Sequence, residues 1–279
     1  MTTGAEHIDY RAMFDLAGQA AVVTGGCGTL GREFAAGLAQ CGARVALLDL
    51  DRARTEELAA GLKARYGIEA LGLACDIAKP EEAARAVDDV VARLGRVDIL
   101  LNNAQSATPN PAAYFAPFEQ YSFEEWRRVL AVDLDGMAIM AQTVCRHMTT
   151  RGHGGTLIQI GSIYGAYGPD NRIYEGAIHN GVAINNPAVY AVGKAGVIGL
   201  TRWLATSYGQ KGVRANAVVP GGVESGQSVE FVRRYADRVP MGRMARKEEI
   251  VGAVLWLASP ASSYVTGQSI FVDGGLSAW

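Results

Sequence analysis

The sequence predicts a single α/β domain in which helices cover both faces of a doubly wound, parallel, seven-stranded sheet. Three observations predict it. Seven short runs rich in aliphatic and β-branched residues alternate with longer amphipathic segments. Most of these runs are apolar with little alternation, which marks strands buried on both faces. The chain has 279 residues, 49% of them hydrophobic and 19% charged, enough for one large core without a second domain.

Taken in order, the predicted strands are 21–24, 44–49, 70–75, 97–102, 156–161, 213–219 and 269–272. Between them, 30–40, 54–66, 80–94, 123–149 and 187–210 carry helical periodicity. Pro80 followed by Glu81 and Glu82 has the composition of a first helical turn, where a missing N–H costs nothing and acidic groups face the positive helix end. Residues 1–17 read as an N-terminal extension and 18–279 as the domain. The stretch 164–187, rich in Gly, Asn and aromatics and without a clear period, reads as an ordered functional loop.

Formal net charge is −2 and no block of like charge occurs, so nothing suggests nucleic acid or a membrane surface as a partner. No apolar run approaches the roughly 20 residues of a membrane-spanning helix. The four cysteines, Cys27, Cys41, Cys75 and Cys145, show no metal or disulfide spacing, and the N-terminus lacks a basic segment leading into an apolar one. A cytoplasmic protein with reduced thiols is expected. His7, His147, His153 and His179 come with no set of cysteines or carboxylates, so no metal is expected.

The first strand runs into Thr24-Gly25-Gly26-Cys27-Gly28-Thr29-Leu30-Gly31, where Gly26, Gly28 and Gly31 fit the G-x-G-x-x-G pattern at a strand-to-helix turn. Glycines there let the backbone approach a pyrophosphate, and the free N–H groups of the helix opening near Leu30 meet its charge. Asp49 ends the second strand, where a carboxylate can accept both hydroxyls of an adenosine ribose and repel a 2′-phosphate. NAD is therefore the expected cofactor over NADP. Asp49 could alternatively serve as a helix cap, although Asp51 beside it could do that instead. Farther on, Tyr190 and Lys194 stand four residues apart on one predicted helical face. A neighbouring ammonium favours phenolate and brings a phenol toward use as a general base.

With these residues in view, the chain resembles the short-chain dehydrogenase/reductases, in the expected motif order from about Phe14 onward. Besides the glycine turn, Asp76-Ile77 follows the third strand, Asn102-Asn103-Ala104 resembles the family's NNAG, and Ile160-Gly161-Ser162 its serine-bearing strand end. Asn216-Ala217-Val218-Val219-Pro220-Gly221 and Asp273-Gly274-Gly275 complete the series. The resemblance implies a Rossmann fold and hydride transfer between a nicotinamide cofactor and a secondary alcohol or ketone. It makes Tyr190 the general acid/base, Ser162 the hydroxyl that positions the substrate oxygen, and Lys194 the group that holds the nicotinamide ribose and tunes Tyr190. Asp133 occupies the position of the helix asparagine that joins those three. Cofactor contacts are implied for Gly25, Gly28, Thr29, Leu30, Gly31, Asp49, Asp76, Ile77, Asn103, Ala104, Tyr190, Lys194, Pro220, Gly221, Val223 and Ser225. Pairing into homodimers or homotetramers through 123–149 and 187–210, and a mobile polar lid over 224–240, are also implied.

The sequence departs from the family pattern in several places. Thr29 replaces the middle glycine of the turn, and Gln105 replaces the last glycine of NNAG, which puts a long polar side chain beside the nicotinamide half. Asp133 can accept hydrogen bonds but, ionised, cannot donate as asparagine does. Ser162 and Tyr190 are 28 positions apart, wider than the family spacing, so the extra residues adjoin the active site. Tyr164, Tyr167, Asp170, Asn171, Arg172, Tyr174, Glu175, His179 and Asn186 lie there and suit a polar substrate or a subunit contact. Gln105, Ser162, Tyr164, Arg172 and Tyr190 are the expected substrate residues. The wording of this loop and of the C-terminal end resembles a subgroup acting on gluconate and other sugars. The expected substrate is thus a polyhydroxylated small molecule: a sugar, sugar acid or cyclitol. A reductase of a less polar ketone, which Arg172, Glu175 and Glu224 argue against, and a nonenzymatic dinucleotide sensor are the alternatives.

Overall fold

The computed structural model describes residues 8–179 and 181–279. Strands β1 (Ala20–Thr24), β2 (Arg44–Asp49), β3 (Ala70–Ala74), β4 (Ile99–Asn102) and β5 (Gly155–Ile160) come first in the chain. A two-stranded antiparallel ribbon of β6 (Ile178–His179) and β7 (Val182–Ala183) follows, then β8 (Val213–Pro220) and β9 (Ser269–Val272). Seven of them form one sheet in the order β3-β2-β1-β4-β5-β8-β9, with every neighbouring pair parallel. All seven expected strands are present.

Side-chain alternation along these strands divides the interior into two cores. Ala20 and Val22 of β1, with Ala46 and Leu48 of β2, face a cluster built on α3 (Pro80–Leu94), α6 (Met137–Thr150) and part of α7 (Ala188–Tyr208). Ala21, Val23, Val45 and Leu47 face the other way, onto α1 (Thr29–Gln40), α2 (Arg52–Tyr66) and α9 (Glu248–Ala258). Strands covered on both faces have no room for polar alternation, which is why they read as continuous apolar runs. Leu16, within the expected extension, is fully buried in the second core, and its N–H donates to Cys41 O at 2.8 Å.

Several expectations need correction. The segment 123–149 is not one regular helix: α5 (Phe123–Leu130) passes through a π-helical turn, Ala131–Gly136, before α6 begins, so the helical phase slips by a residue at Asp133. Helix α2 starts at Arg52, because the Asp51 carboxylate caps it by accepting from Arg54 N at 3.0 Å. A short α4 (Pro111–Tyr114) and α9 were not expected. The lid region is less polar than its composition suggested: it contains α8 (Val229–Ala236), whose Phe231 and Tyr235 are buried. They join Ile173 and Ala177 of the loop with Val239 and Met244 in a third, small core outside the sheet.

Candidate functional site

The chain runs β1-β2-β3 toward one edge of the sheet and then returns to β4 and builds toward the other. A crevice opens where the order reverses, above the carboxyl ends of β1 and β4, and ligands of such sheets bind there. Thr24 and Asn103 tie the two strand ends together. The N–H groups of Asn103 and Ala104 donate to Thr24 Oγ1 at 3.0 and 3.1 Å, and Asn103 Nδ2 donates to Thr24 O and Gly25 O.

One arm of the crevice is a groove of about 470 Å³ lined by Gly25, Gly28, Thr29, Leu30, Asp49, Asp76, Ile77, Asn103 and Ala104 among others. Gly25 has φ +64°, and a Cβ on it would lie 2.7 Å from Ala104 Cα. A Cβ on Gly31 would collide with Gly25 O. No side chain caps α1 and its first turn holds no acidic residue, so the positive end faces the groove uncompensated. This backbone fits a nicotinamide dinucleotide: the turn from Gly28 to Gly31 would hold its phosphates, and Asp49, Asp76 and Ile77 would hold its adenosine. Asp49 is not a helix cap: Oδ2 accepts from Cys27 N at 2.9 Å and Oδ1 from Leu50 N at 2.8 Å, which fixes the carboxylate at the groove wall.

The other arm is a cavity of about 670 Å³. Ser162, Tyr190 and Lys194 line it together with Asn103, Gln105, Pro220, Gly221, Val223 and Ser225, so the sequence-predicted groups do converge. Ser162 lies two residues beyond the end of β5, and its hydroxyl caps the next turn, accepting from Tyr164 N at 3.3 Å. Tyr190 and Lys194 sit in the first two turns of α7, and Lys194 Nζ donates to Ile160 O at 3.0 Å, 5.8 Å from the centre of the Tyr190 ring. Gly165 lets this helix approach: a Cβ there would lie 2.5 Å from the Lys194 carbonyl carbon.

Burial pushes the Tyr190 phenol up to about 12, while the adjacent Ser162 hydroxyl pulls it down and the Asp133 carboxylate pushes it up. Burial lowers Lys194, with Asp133 opposing. Asp133 does not line the cavity. It lies behind it, 1% exposed, accepting from Ser106 N at 2.6 Å through Oδ1 while Oδ2 has no protein partner. Burial raises its carboxyl, and Lys194, Ser106 and Arg128 oppose the rise. Tyr114 also faces it and is raised by burial and by that charge. Asp133→Asn removes a negative charge that disfavours the Tyr190 phenolate. The acidic limb of the kcat/KM profile for alcohol oxidation is expected to move about one pH unit lower; a stationary limb would show that Asp133 has no electrostatic hold on Tyr190.

Of the expected substrate residues, Gln105 and Tyr164 line the cavity and Arg172 does not. The Arg172 guanidinium is exposed and donates to Asp170 at 2.7 and 2.8 Å, and Glu175 pairs with Arg234 instead. Glu224 is likewise absent from the cavity lining, so the charges that argued against an apolar substrate stand outside it. The sequence reading missed Tyr114, Phe115, Ile184, Asn185, Phe231, Tyr235 and Met244, which form much of the wall. Their only signal was position: Asn185 belongs to the loop singled out, and Phe231 and Tyr235 are an i, i+4 pair inside the expected lid. His147 pairs with Asp88 and His153 with Gly154 O; His7 lies outside the described residues, and no group of three or more potential metal ligands occurs among the described ones.

Fold and site together define a dinucleotide-dependent oxidoreductase. Residues 27–277 match the family described as enoyl-(acyl carrier protein) reductase. The chain is 34% identical to cis-4-hydroxycyclohexanecarboxylate dehydrogenase of Sinomonas cyclohexanicum, over 92% of this chain and 96% of that one. It is 33% identical to D-threitol dehydrogenase of Mycolicibacterium smegmatis, over 98% of both. Among solved structures it is similar to a short-chain type dehydrogenase/reductase from Mycobacterium marinum, with TM-score 0.85, 29% identity, and coverage of 98% of this chain and 100% of that one. It is also similar to a gluconate 5-dehydrogenase from Burkholderia cenocepacia in complex with NADP and tartrate, with TM-score 0.82, 32% identity, and coverage of 96% and 98%. The chain belongs to the short-chain dehydrogenase/reductase family and is a dehydrogenase or reductase of alcohol and ketone groups.

Proposed function

We propose that the protein oxidises a secondary hydroxyl on a small polyhydroxylated compound, with NAD as acceptor, and reduces the matching ketone in reverse. The observation that carries this is the convergence of Ser162, Tyr190 and Lys194 in a cavity that meets the groove whose far wall bears Asp49. A bound nicotinamide supplies the hydride acceptor or donor. On the protein side, Ser162 holds the substrate oxygen, Tyr190 takes or returns its proton, and Lys194 stabilises the phenolate while fixed by Ile160 O. Asp49 supports NAD: its carboxylate on the groove wall would repel a 2′-phosphate, and Arg52 and Arg54 beyond it are paired with Glu56 and Glu57. The related gluconate 5-dehydrogenase was solved with NADP, which makes the cofactor a point for direct test.

A second reading is favoured by the wall itself. Phe115, Ile178, Ile184, Phe231 and Met244 give part of the cavity an apolar lining suited to a carbon ring, so a less polar cyclic alcohol is also tested. The test is NADH formation across galactitol, D-threitol, cyclohexanediols, a hydroxysteroid and a 3-hydroxyacyl thioester, repeated with NADP. Polyols or cyclic diols with NAD are expected to lead; activity confined to the steroid or thioester, or to NADP, would overturn the corresponding half of the proposal. Pairing of subunits through α5 and α7 is part of the same reading, supported by Phe123, Val192 and Trp203 exposed on those helices.

A further inference from the structure

We propose that the cavity selects uncharged substrates and discriminates against carboxylates, because its single described cation, Lys194, is already engaged and the remaining wall offers neutral or electron-rich groups. This rests on the reading of the cavity as the substrate site, and it narrows the polyhydroxylated class to neutral members.

Among the described residues lining the cavity, Lys194 alone carries a formal charge. Its ammonium donates to Ile160 O, has the buried Asp133 carboxylate behind it and serves the Tyr190 phenolate in front, so it offers no partner to a carboxylate held elsewhere in the cavity. The loop's own guanidinium faces away. Asp170 holds Arg172 and also Arg238, while Glu230 and Glu175 hold Arg234. Those ion pairs lie on the outer side of the loop and lid and leave the inner side to neutral groups.

Two of those groups make the inner side unfavourable for a negative charge. Asn185 and Asn186 immediately precede Pro187, the residue that opens α7 three positions before Tyr190. Asn185 Nδ2 donates to Phe115 O at 2.8 Å, which fixes the amide and leaves Oδ1 buried without a partner. The Asn186 side chain meets the Tyr174 hydroxyl, which also contacts that of Tyr164, and its Oδ1 is likewise buried and unpartnered. Buried just behind the wall, these unanswered carbonyl dipoles act through a medium of low dielectric against a carboxylate in the cavity, which gives up its hydration without a compensating partner. A hydroxyl or a primary amide of the same shape carries no net charge to desolvate.

The test uses cis-4-hydroxycyclohexanecarboxylate and its primary amide, cis-4-hydroxycyclohexanecarboxamide, at pH 8 with NAD, where the acid is ionised and the two differ in charge but hardly in shape. The amide is expected to show kcat/KM on the order of 100-fold above the acid. Thr108→Arg, which adds a guanidinium to the cavity wall, is expected to narrow that ratio about tenfold by improving the acid, with amide turnover reporting that the variant is folded. If neither compound turns over, titration of both into the protein with NADH reads the same ratio as affinity. Acid and amide within threefold of one another, or the acid ahead, would overturn the proposal. Galactitol in the same assay separates the two readings: if it is inert while the amide still exceeds the acid, the polyol reading fails and the charge selection stands.

Discussion

Tyr190→Phe is expected to lower kcat/KM for alcohol oxidation by about 10³-fold while leaving NADH binding within a few-fold of the wild type. The size follows from what the hydroxyl does: a positioned acid/base group contributes about 10²- to 10⁴-fold. The ring survives in the variant, so the packing of α7 against Gly165 and the Lys194 to Ile160 bond remain. The pH dependence gives a sharper check. With the phenol pushed up to about 12 by burial in the ligand-free protein, oxidation needs the minority ionised form and rises with pH. Reduction needs the protonated phenol and falls only at alkaline pH. Lys194 and a bound oxidised nicotinamide, both positive, bring the oxidation limb to lower pH than the free phenol would show. In Tyr190→Phe that limb should vanish from the residual activity. A variant with wild-type slope and only a small loss would move the general base elsewhere.

The second large effect is expected at the opposite end of the groove. Asp49→Asn should lower kcat/KM with NAD and raise it with NADP, changing the ratio of the two by about 100-fold, a little under 3 kcal/mol. Both oxygens of Asp49 are held by backbone N–H groups, from Cys27 and Leu50, so the carboxylate cannot swing aside to admit a phosphate. The amide removes the repulsion and keeps one acceptor oxygen for a ribose hydroxyl, while giving up one of the two backbone hydrogen bonds because its NH2 group cannot accept. Initial rates with both cofactors at saturating alcohol and at several salt concentrations measure it, since charge repulsion weakens with salt. A ratio that stays put would mean that the carboxylate does not govern the choice.

The parts of this molecule legible in the sequence are those where local chemistry and tertiary role coincide. Ala20–Thr24 and Ile99–Asn102 are buried on both faces, so an unbroken apolar run was their visible mark. The glycine turn was legible because positive φ and close approach leave few substitutes, and Tyr190 and Lys194 because four residues is one helical turn. Asp133 was found by position, but the π-helical turn that carries it was not: a single inserted residue shifts the helical phase too little to show in the periodicity of 123–149. Helix α9 escaped for the opposite reason. Its run of Ile250 to Leu257 is apolar on most sides, with too narrow a polar face to display a helical period. The cavity wall was least legible of all. Tyr174, Phe231, Tyr235 and Met244 are spread along the chain from the loop to the far side of the lid and meet only through the loop and lid packing together. Arg172 shows the converse error, since its charge suggested a ligand and Asp170, two residues earlier, had already claimed it.

The small third core has a consequence for how such a protein can diverge. Ile173, Phe231, Tyr235, Val239 and Met244 stabilise one another rather than the sheet, and the C-terminal end is stitched to the same unit through Trp279 Nε1 to Arg238 O and Tyr167 to Ser277 O. Mutations that reshape this unit draw on its own modest stability and leave the two large cores untouched. Selection can therefore rewrite which molecule is admitted while the proton and hydride chemistry stays on a foundation that does not register the change.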